Sequence, residues 1–336
     1  MATYKDAGVD LDAADQAVER MRAHVTATWG DDVVGGFGGF AAGIKIPRGY
    51  REPVLMMSTD GVGTKAEVAR QAGLFAGLGW DLVAMCADDL AAAGARPLAM
   101  TDYLAVGKLD PAWVEQIVAS VAAACAASDV ALIGGETAEH PGVMDADEFD
   151  LAGAVVGIVE ADAVVDGSSI EAGQAVLGLH SPNLRSNGFS LIRSAVLPKI
   201  GLEERLTDGS AAEVFLAGSV LYSPAVQRLL AAVPVAAMAH VTGGGIAGNL
   251  TRVLPPTADA MVDSTSWNRP AVFEEVAEIG RIDDESMFQT FNMGIGFIAI
   301  VDRSDVAAAQ SALGIDSTVI GEMVAGSGAV RINGLD

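Results

Sequence analysis

The sequence predicts a mixed α/β protein built from two α/β domains, and three observations carry that prediction. Its 336 residues exceed the usual size of a single hydrophobic core. Strand-length apolar runs alternate with alanine-rich segments of helical period along the whole chain. A composition that is 51% apolar but only 5% aromatic suits closely packed layers of Ala, Val, Leu and Gly.

The first block opens with a helix over residues 13–28. Gly35-Gly36-Phe37-Gly38-Gly39-Phe40-Ala41-Ala42-Gly43 follows, too glycine-rich for regular structure, and reads as a mobile loop. A strand at 53–58, a helix at 78–94 and a strand at 97–106 come next. Asp110 and Pro111 then open a helix at Pro111–Ala127 as cap and first-turn residue. Strands at 130–133 and 151–160 complete the block. Turn sequences at 166–169 and 171–173 bracket the expected junction, dividing the chain into 1–168 and 169–336. The second block reads as a strand at 175–179, helices near 189–200 and 211–232, and a strand at 235–240. A helix at 246–254, a strand at 259–263, a helix at 271–279 and a strand at 290–301 continue it. A helix at 305–313, a strand at 319–323 and an end piece at 329–332 close the chain.

Charge narrows the function classes. With 44 acidic against 20 basic residues and a formal charge of −24, the chain has no basic stripe for nucleic acid or an anionic membrane. The N-terminus lacks the apolar core of a signal peptide, and no apolar run is long enough to span a bilayer, so the expected address is the cytoplasm. Cys86 and Cys125 sit in apolar helical patterns and read as reduced core thiols.

The densest chemical signal is Val54-Leu55-Met56-Met57-Ser58-Thr59-Asp60-Gly61-Val62-Gly63-Thr64-Lys65. An apolar strand runs into an acid that can hold a hard cation, glycines whose N–H groups can approach phosphate, and a lysine. The bland reading of the same segment is a tight glycine turn with a solvated acid and base. Walker A spacing is absent. Gly61–Ala66 imitates a dinucleotide fingerprint, with Asp81 downstream, but Asp81 opens a helical pattern rather than ending a second strand.

Other acids and loops have comparable settings. Asp89 stands inside an Ala/Val/Leu/Met helix, where an unpartnered acid is costly to bury, and Glu136 follows Leu132-Ile133-Gly134-Gly135. Asp60, Asp89 and Glu136 together suit one or two magnesium ions on β- and γ-phosphates. Ser186-Asn187-Gly188 can donate to an anion, though an ordinary Asn-Gly turn explains it equally. His240-Val241-Thr242-Gly243-Gly244-Gly245 offers a nest of N–H groups and a strand-end histidine able to move a proton, or one that merely satisfies a carbonyl. Thr290-Phe291-Asn292 is a further strand motif, in which Asn292 is a candidate substrate contact.

With these motifs in order, and with Tyr4-Lys5-Asp6-Ala7-Gly8-Val9-Asp10 before them and Gly134-Gly135-Glu136-Thr137-Ala138-Glu139 among them, the chain resembles the aminoimidazole ribonucleotide synthetase family. These are the phosphoribosylformylglycinamidine cyclo-ligases of purine biosynthesis. The resemblance covers nearly the whole chain. It implies a homodimer formed through the N-terminal domain, ATP and Mg2+ near that interface, and formylglycinamidine ribonucleotide as substrate. It implies metal–phosphate positions at Asp60, Asp89 and Glu136, a phosphate contact at Lys65, and a flexible cover at Gly36, Gly38 and Gly39. Nucleotide contacts are expected from Thr59, Gly61, Gly63, Thr64, Ser186, Asn187, Gly243 and Gly244, with Lys65 and His240 in catalytic roles. Another phosphoryl-transferring relative, of the thiamine-monophosphate kinase type, is the alternative. The chain departs from the family in carrying Arg185 before Ser-Asn-Gly where histidine is usual, so Arg185 is a candidate bidentate phosphate ligand. His140 replaces a usual methionine.

Overall fold

The computed structural model describes residues 7–333, so Tyr4, Lys5 and Asp6 of the N-terminal motif lie outside the described residues. The first domain contains α1 (Leu11–Thr26), β1 (Val33–Val34), β2 (Gly43–Ile44), β3 (Pro53–Gly61), α2 (Lys65–Ala72), α3 (Leu78–Ala92), β4 (Arg96–Val106), α4 (Pro111–Ala127), β5 (Ala131–Glu139) and β6 (Phe149–Glu160). Its sheet has the order β3-β6-β4-β5, antiparallel except for the β4–β5 pair. One face is covered by α3 and α4; the other carries Leu55 and Met57 of β3 and Tyr103 of β4, all exposed.

Residues 161–174 lead to the second domain. There follow β7 (Ala175–His180), α5 (Phe189–Leu191) running into a π turn, the small hairpin β8 (Arg205–Leu206) and β9 (Gly209–Ser210), α6 (Ala211–Phe215), α7 (Ser223–Ala232), β10 (Ala237–His240) and α8 (Gly245–Leu250). The chain ends with β11 (Ala258–Asp263), α9 (Ala271–Gly280), α10 (Asp284–Thr290), β12 (Ile295–Val301), α11 (Val306–Leu313), β13 (Ser317–Ala325) and β14 (Val330–Asn333). These strands form one six-stranded sheet, β10-β12-β7-β13-β11-β14. Strand β12, inside this sheet between β10 and β7, is buried at every position, as its apolar run requires.

Helix α3 is the element shared by both domains. It packs on β3, β6 and α4 of its own domain and on α7 and β10 of the other. That accounts for a helix apolar nearly all round, with buried Leu82, Val83, Met85, Cys86 and Leu90. It also means that acids on α3 must find partners inside the protein.

Several elements differ from expectation, three of them around the domain junction. Helix α2 is additional to the sequence reading; its Lys-Ala-Glu-Val-Ala-Arg-Gln-Ala sequence favours helix, and Gly73 ends it at φ 65°. The helix expected over 211–232 is two, broken at residues 216–222, whose backbone groups are taken by Lys65, Asp81, Asn183 and Asp88. The strand expected from Thr290 begins at Ile295, because Asp283 caps a helix through Thr290 and Met293 and Gly294 both turn left-handed, at φ 51° and 96°.

Candidate active site at the domain junction

The loop after β3 is held against two loops of the second domain. Ser186 Oγ donates to the Val62 carbonyl at 3.2 Å, and the Thr64 and Ser190 hydroxyls are 3.1 Å apart. The Asn187 Oδ1 atom lies near Gly243, where a Cβ would sit 3.5 Å away. The structure therefore brings together Thr59–Thr64 of the first domain and Ser186, Asn187, His240, Gly243 and Gly244 of the second.

Asp89 joins this group. Its Oδ1 is 2.9 Å from His240 Nδ1, and its Oδ2 accepts the Ser58 hydroxyl at 3.3 Å. Ser58 and Asp60 are two residues apart on β3 and share a face, so Asp60 stands beside Asp89. Their environments separate the two acids. Burial, reinforced by the nearby Asp89 charge, raises the Asp60 carboxyl against the opposing Gly61 N–H bond at 2.7 Å. At Asp89 burial acts in the same direction, but the His240 and Ser58 hydrogen bonds outweigh it and hold the carboxyl below its usual value. A cavity of about 490 Å³ opens here, lined by Met57, Ser58, Asp89, His240, Asn249 and Arg252.

Several expectations need correction. Lys65 is fully buried, and its ammonium meets Asp81 Oδ2 at 2.7 Å, the Arg185 carbonyl at 2.8 Å and the Ala217 carbonyl at 3.0 Å. All three N–H donors are spent inside the protein, so Lys65 makes no phosphate contact in this structure; it ties α2 to α3 and to the second domain. Burial lowers the Lys65 ammonium and raises the Asp81 carboxyl, and their contact opposes both shifts. The acids buried in α3 are Asp81 and Asp88 rather than Asp89, whose side chain is 43% exposed. Asp88 accepts from Arg185 Nη2 at 3.0 Å and from the Tyr222 and Ser223 N–H groups at the start of α7. Arg185 is likewise fully buried, donating to Asp88, the Val220 carbonyl and His240 Nε2, so it does not present a fork to phosphate.

Glu136 is separated from the other two candidate metal ligands. It lies on β5, whereas Asp60 lies on β3, and three strand spacings, ~14 Å, divide them. Among the described residues no group of three or more His, Cys, Asp or Glu side chains is placed to hold a metal. Two adjacent carboxylates, Asp60 and Asp89, do suit magnesium that keeps waters and takes its remaining ligands from phosphate oxygens.

Glu136 belongs to a second cavity, of about 630 Å³, with Gly36–Gly39, Phe37 and Phe40 of the glycine loop, Met21 of α1, and Asp102. The sequence reading overlooked Asp102, although an acid within the apolar run of β4 was the available signal. Its residue surface is half-buried, but Oδ2 is closed from water and has no hydrogen-bond partner. Burial pushes this carboxyl up to about 7, against the opposing bond from its own backbone. A Cβ on Gly135 beside it would overlap Asp102 Oδ1, so any larger residue there would displace this carboxylate.

Both halves of the chain match known sequence families, the N-terminal domain of AIR synthase related protein over residues 40–159 and its C-terminal domain over 171–333. The chain belongs to the AIR synthase family. A Methylobacillus flagellatus protein named phosphoribosylformylglycinamidine cyclo-ligase is 44% identical over 99% of this chain and 95% of its own. Proteins of the same name from a Synechococcus strain and from Pseudothermotoga lettingae are 41% and 42% identical, covering 98% of this chain and 98% and 99% of theirs. Among solved structures, thiamine-monophosphate kinase from Stenotrophomonas maltophilia superposes with a TM-score of 0.68 at 22% identity, covering 95% of this chain and 96% of its own. Hydrogenase maturation protein HypE in complex with ATP gives 0.67 at 20%, covering 95% and 89%. These structural likenesses establish the two-domain α/β fold, and the closer sequence relatives place the chain among the family's cyclo-ligases.

Within the family fold, the strands deliver polar residues to loops and the helices hold the loops still. Asn249 of α8 shows how: its Nδ2 donates to the Thr242, Gly243 and Gly245 carbonyls at 3.3, 3.3 and 2.8 Å, pinning the glycine turn that begins at His240.

Proposed function

We propose that this protein is an ATP-dependent ligase that closes the imidazole ring of formylglycinamidine ribonucleotide in purine biosynthesis. The near full-length match, at 41–44% identity, to proteins named cyclo-ligases carries the reading, and the loops assembled at the domain junction support it. The formyl oxygen takes the γ-phosphoryl group of ATP and becomes part of a good leaving group. An amidine-side nitrogen attacks the same carbon, phosphate departs with that oxygen, and one proton is lost. The products are aminoimidazole ribonucleotide, ADP and phosphate.

In this reading Asp60 and Asp89 hold magnesium on the triphosphate, which neutralises charge on the transferring group. The N–H groups of Gly61, Gly63, Gly243 and Gly244, with Thr59, Thr64, Ser186 and Asn187, orient phosphates. The nucleotide base lies under Gly36–Gly39, with Asp102 at its polar edge and Glu136 nearby, within reach of the junction for an extended triphosphate. The Lys65–Asp81 pair supports the loop from beneath. The exposed sheet face bearing Leu55, Met57 and Tyr103 pairs two copies as a homodimer, and the protein works in the cytoplasm, where ATP and ribonucleotide intermediates are available.

ADP release measured with each substrate tests the function. Release should require formylglycinamidine ribonucleotide and magnesium and should be absent with thiamine monophosphate. The reverse preference would replace the cyclo-ligase reading with the kinase one.

A further inference from the structure

The environment of Arg185 bears on what His240 does. Arg185 is a non-glycine residue at φ 59°, a conformation that costs roughly 1–2 kcal/mol, and its side chain is driven fully into the domain junction. The guanidinium stacks 4.7 Å over the Tyr222 ring, donates from Nη1 to the Val220 carbonyl, and from Nη2 reaches both Asp88 Oδ2 at 3.0 Å and His240 Nε2 at 2.9 Å. A guanidinium has donors only. His240 Nε2 must therefore accept, which leaves Nδ1 as the ring N–H that donates to Asp89 Oδ1 at 2.9 Å. A free base at strand-end His240 would need the Nε2 lone pair that Arg185 covers.

We infer that Arg185 is a positioning residue: by capping His240 Nε2 it fixes the Nδ1–H tautomer and so holds the Asp89 carboxylate beside Asp60. His240 then orients an acid rather than taking a proton from substrate. The Ser58 hydroxyl holds the other oxygen of Asp89, so the carboxylate is fixed from two sides while its side chain stays open to the cavity. Asp88 makes the arrangement tolerable, since it supplies the counter-charge for a guanidinium with no access to water. The effect on turnover rests on the proposed role of Asp89, whereas the tautomer does not.

Long-range proton–nitrogen NMR of the ring nitrogens reads the tautomer directly. The chain has four histidines, and the His240 signals are the set lost in His240→Gln. The parent protein should show His240 protonated at Nδ1 and bare at Nε2. The double variant Arg185→Met, Asp88→Asn removes the cap without stranding a buried carboxylate, and the asparagine oxygen can still accept from Tyr222 and Ser223. In it, the Nε2–H form should become populated and turnover should fall by roughly 10–100-fold, as for other groups that orient a ligand-bearing side chain. Arg185→Lys, which keeps a donor, should recover part of both.

An Nε2–H tautomer in the parent, or an unchanged tautomer in the double variant, overturns the cap. A shifted tautomer with parental turnover overturns the positioning role. If the parent shows the Nδ1–H form but releases no ADP with formylglycinamidine ribonucleotide, the functional reading fails while the cap stands.

Discussion

At the scale of single residues, the candidate site carries buried polar groups, and Asp102 Oδ2 is one of several buried side-chain atoms among the described residues that have no hydrogen-bond partner. Its carboxyl is pushed up to about 7 by burial, so the folded protein keeps a proton that the unfolded chain releases near pH ~4. The folded state therefore binds more protons across that window, and stability falls as pH rises from about 4 to about 7. Asp102→Asn should match the parent in unfolding free energy below pH ~4.5 and exceed it above pH ~7.5, by about 2–4 kcal/mol from the size of the shift, with the thermal midpoint moving in the same sense. Nucleotide affinity should drop in the same variant, because the amide presents one donor and one acceptor in a fixed sense. A midpoint curve parallel to the parent's at every pH would show that Asp102 does not titrate in this window. Residue types at the junction were legible in sequence, since Asp60, Ser186, Asn187 and His240 stand in loops whose composition advertises them. Burial was not: Lys65 and Arg185 look like phosphate ligands in one dimension, and only the packing of α2, α3 and α7 shows their charges turned inward against Asp81 and Asp88.

At the scale of elements, local chemistry predicted best where it was complete. Helix α4 runs over Pro111–Ala127 as its Asp110 cap and first-turn proline dictate, with Asp110 Oδ1 accepting from Ala112 N at 2.8 Å. Helix α1 starts earlier than its apolar period indicates, because Asp10 caps it. Strand β5 runs on through Gly134 to Glu139, since its register with β4 continues past the two glycines that suggested an end. The glycine loop is the element with most to gain from a ligand. Its base is fixed by two ladder pairs, Val33↔Ile44 and Val34↔Gly43, and Arg22 stacks on Phe37 at 4.5 Å. Between them Phe40 is fully exposed and Gly39 N meets Gly36 O at 3.2 Å. Magnesium with a non-hydrolysable ATP analogue should raise hydrogen-exchange protection over residues 35–43, and Gly38→Ala with Gly39→Ala should lower turnover more than thermal stability. Gly38 sits at φ 83°, so its alanine resists the present loop shape. Identical exchange with and without nucleotide would show that the loop covers nothing.

At the scale of the whole molecule, the open question is what lies against the bare face of the four-stranded sheet. That face is legible only in three dimensions. In sequence, Leu55 and Met57 belong to an apolar run that reads as buried on both sides, whereas the structure leaves them 56% and 75% exposed, with Tyr103 of β4 43% exposed on the same face. The alternation along β3 explains the contrast, since Val54, Met56 and Ser58 turn toward α3 while Leu55 and Met57 turn away. Apolar side chains clustered on one face favour a second copy of the same face, because a two-fold contact buries each residue twice. Each methionine fully buried is worth roughly 1.5–3 kcal/mol, so a charge at its centre should decide the assembly. Sedimentation should report twice the chain mass for the parent and a large shift toward one chain for Met57→Glu, with the circular dichroism spectrum kept. Turnover should fall with dimer content as the variant is diluted, given that the cavity under the glycine loop and the sheet face share β4 and β5. A parent that sediments as a single chain at assay concentration would leave the face without a partner copy and detach catalysis from assembly.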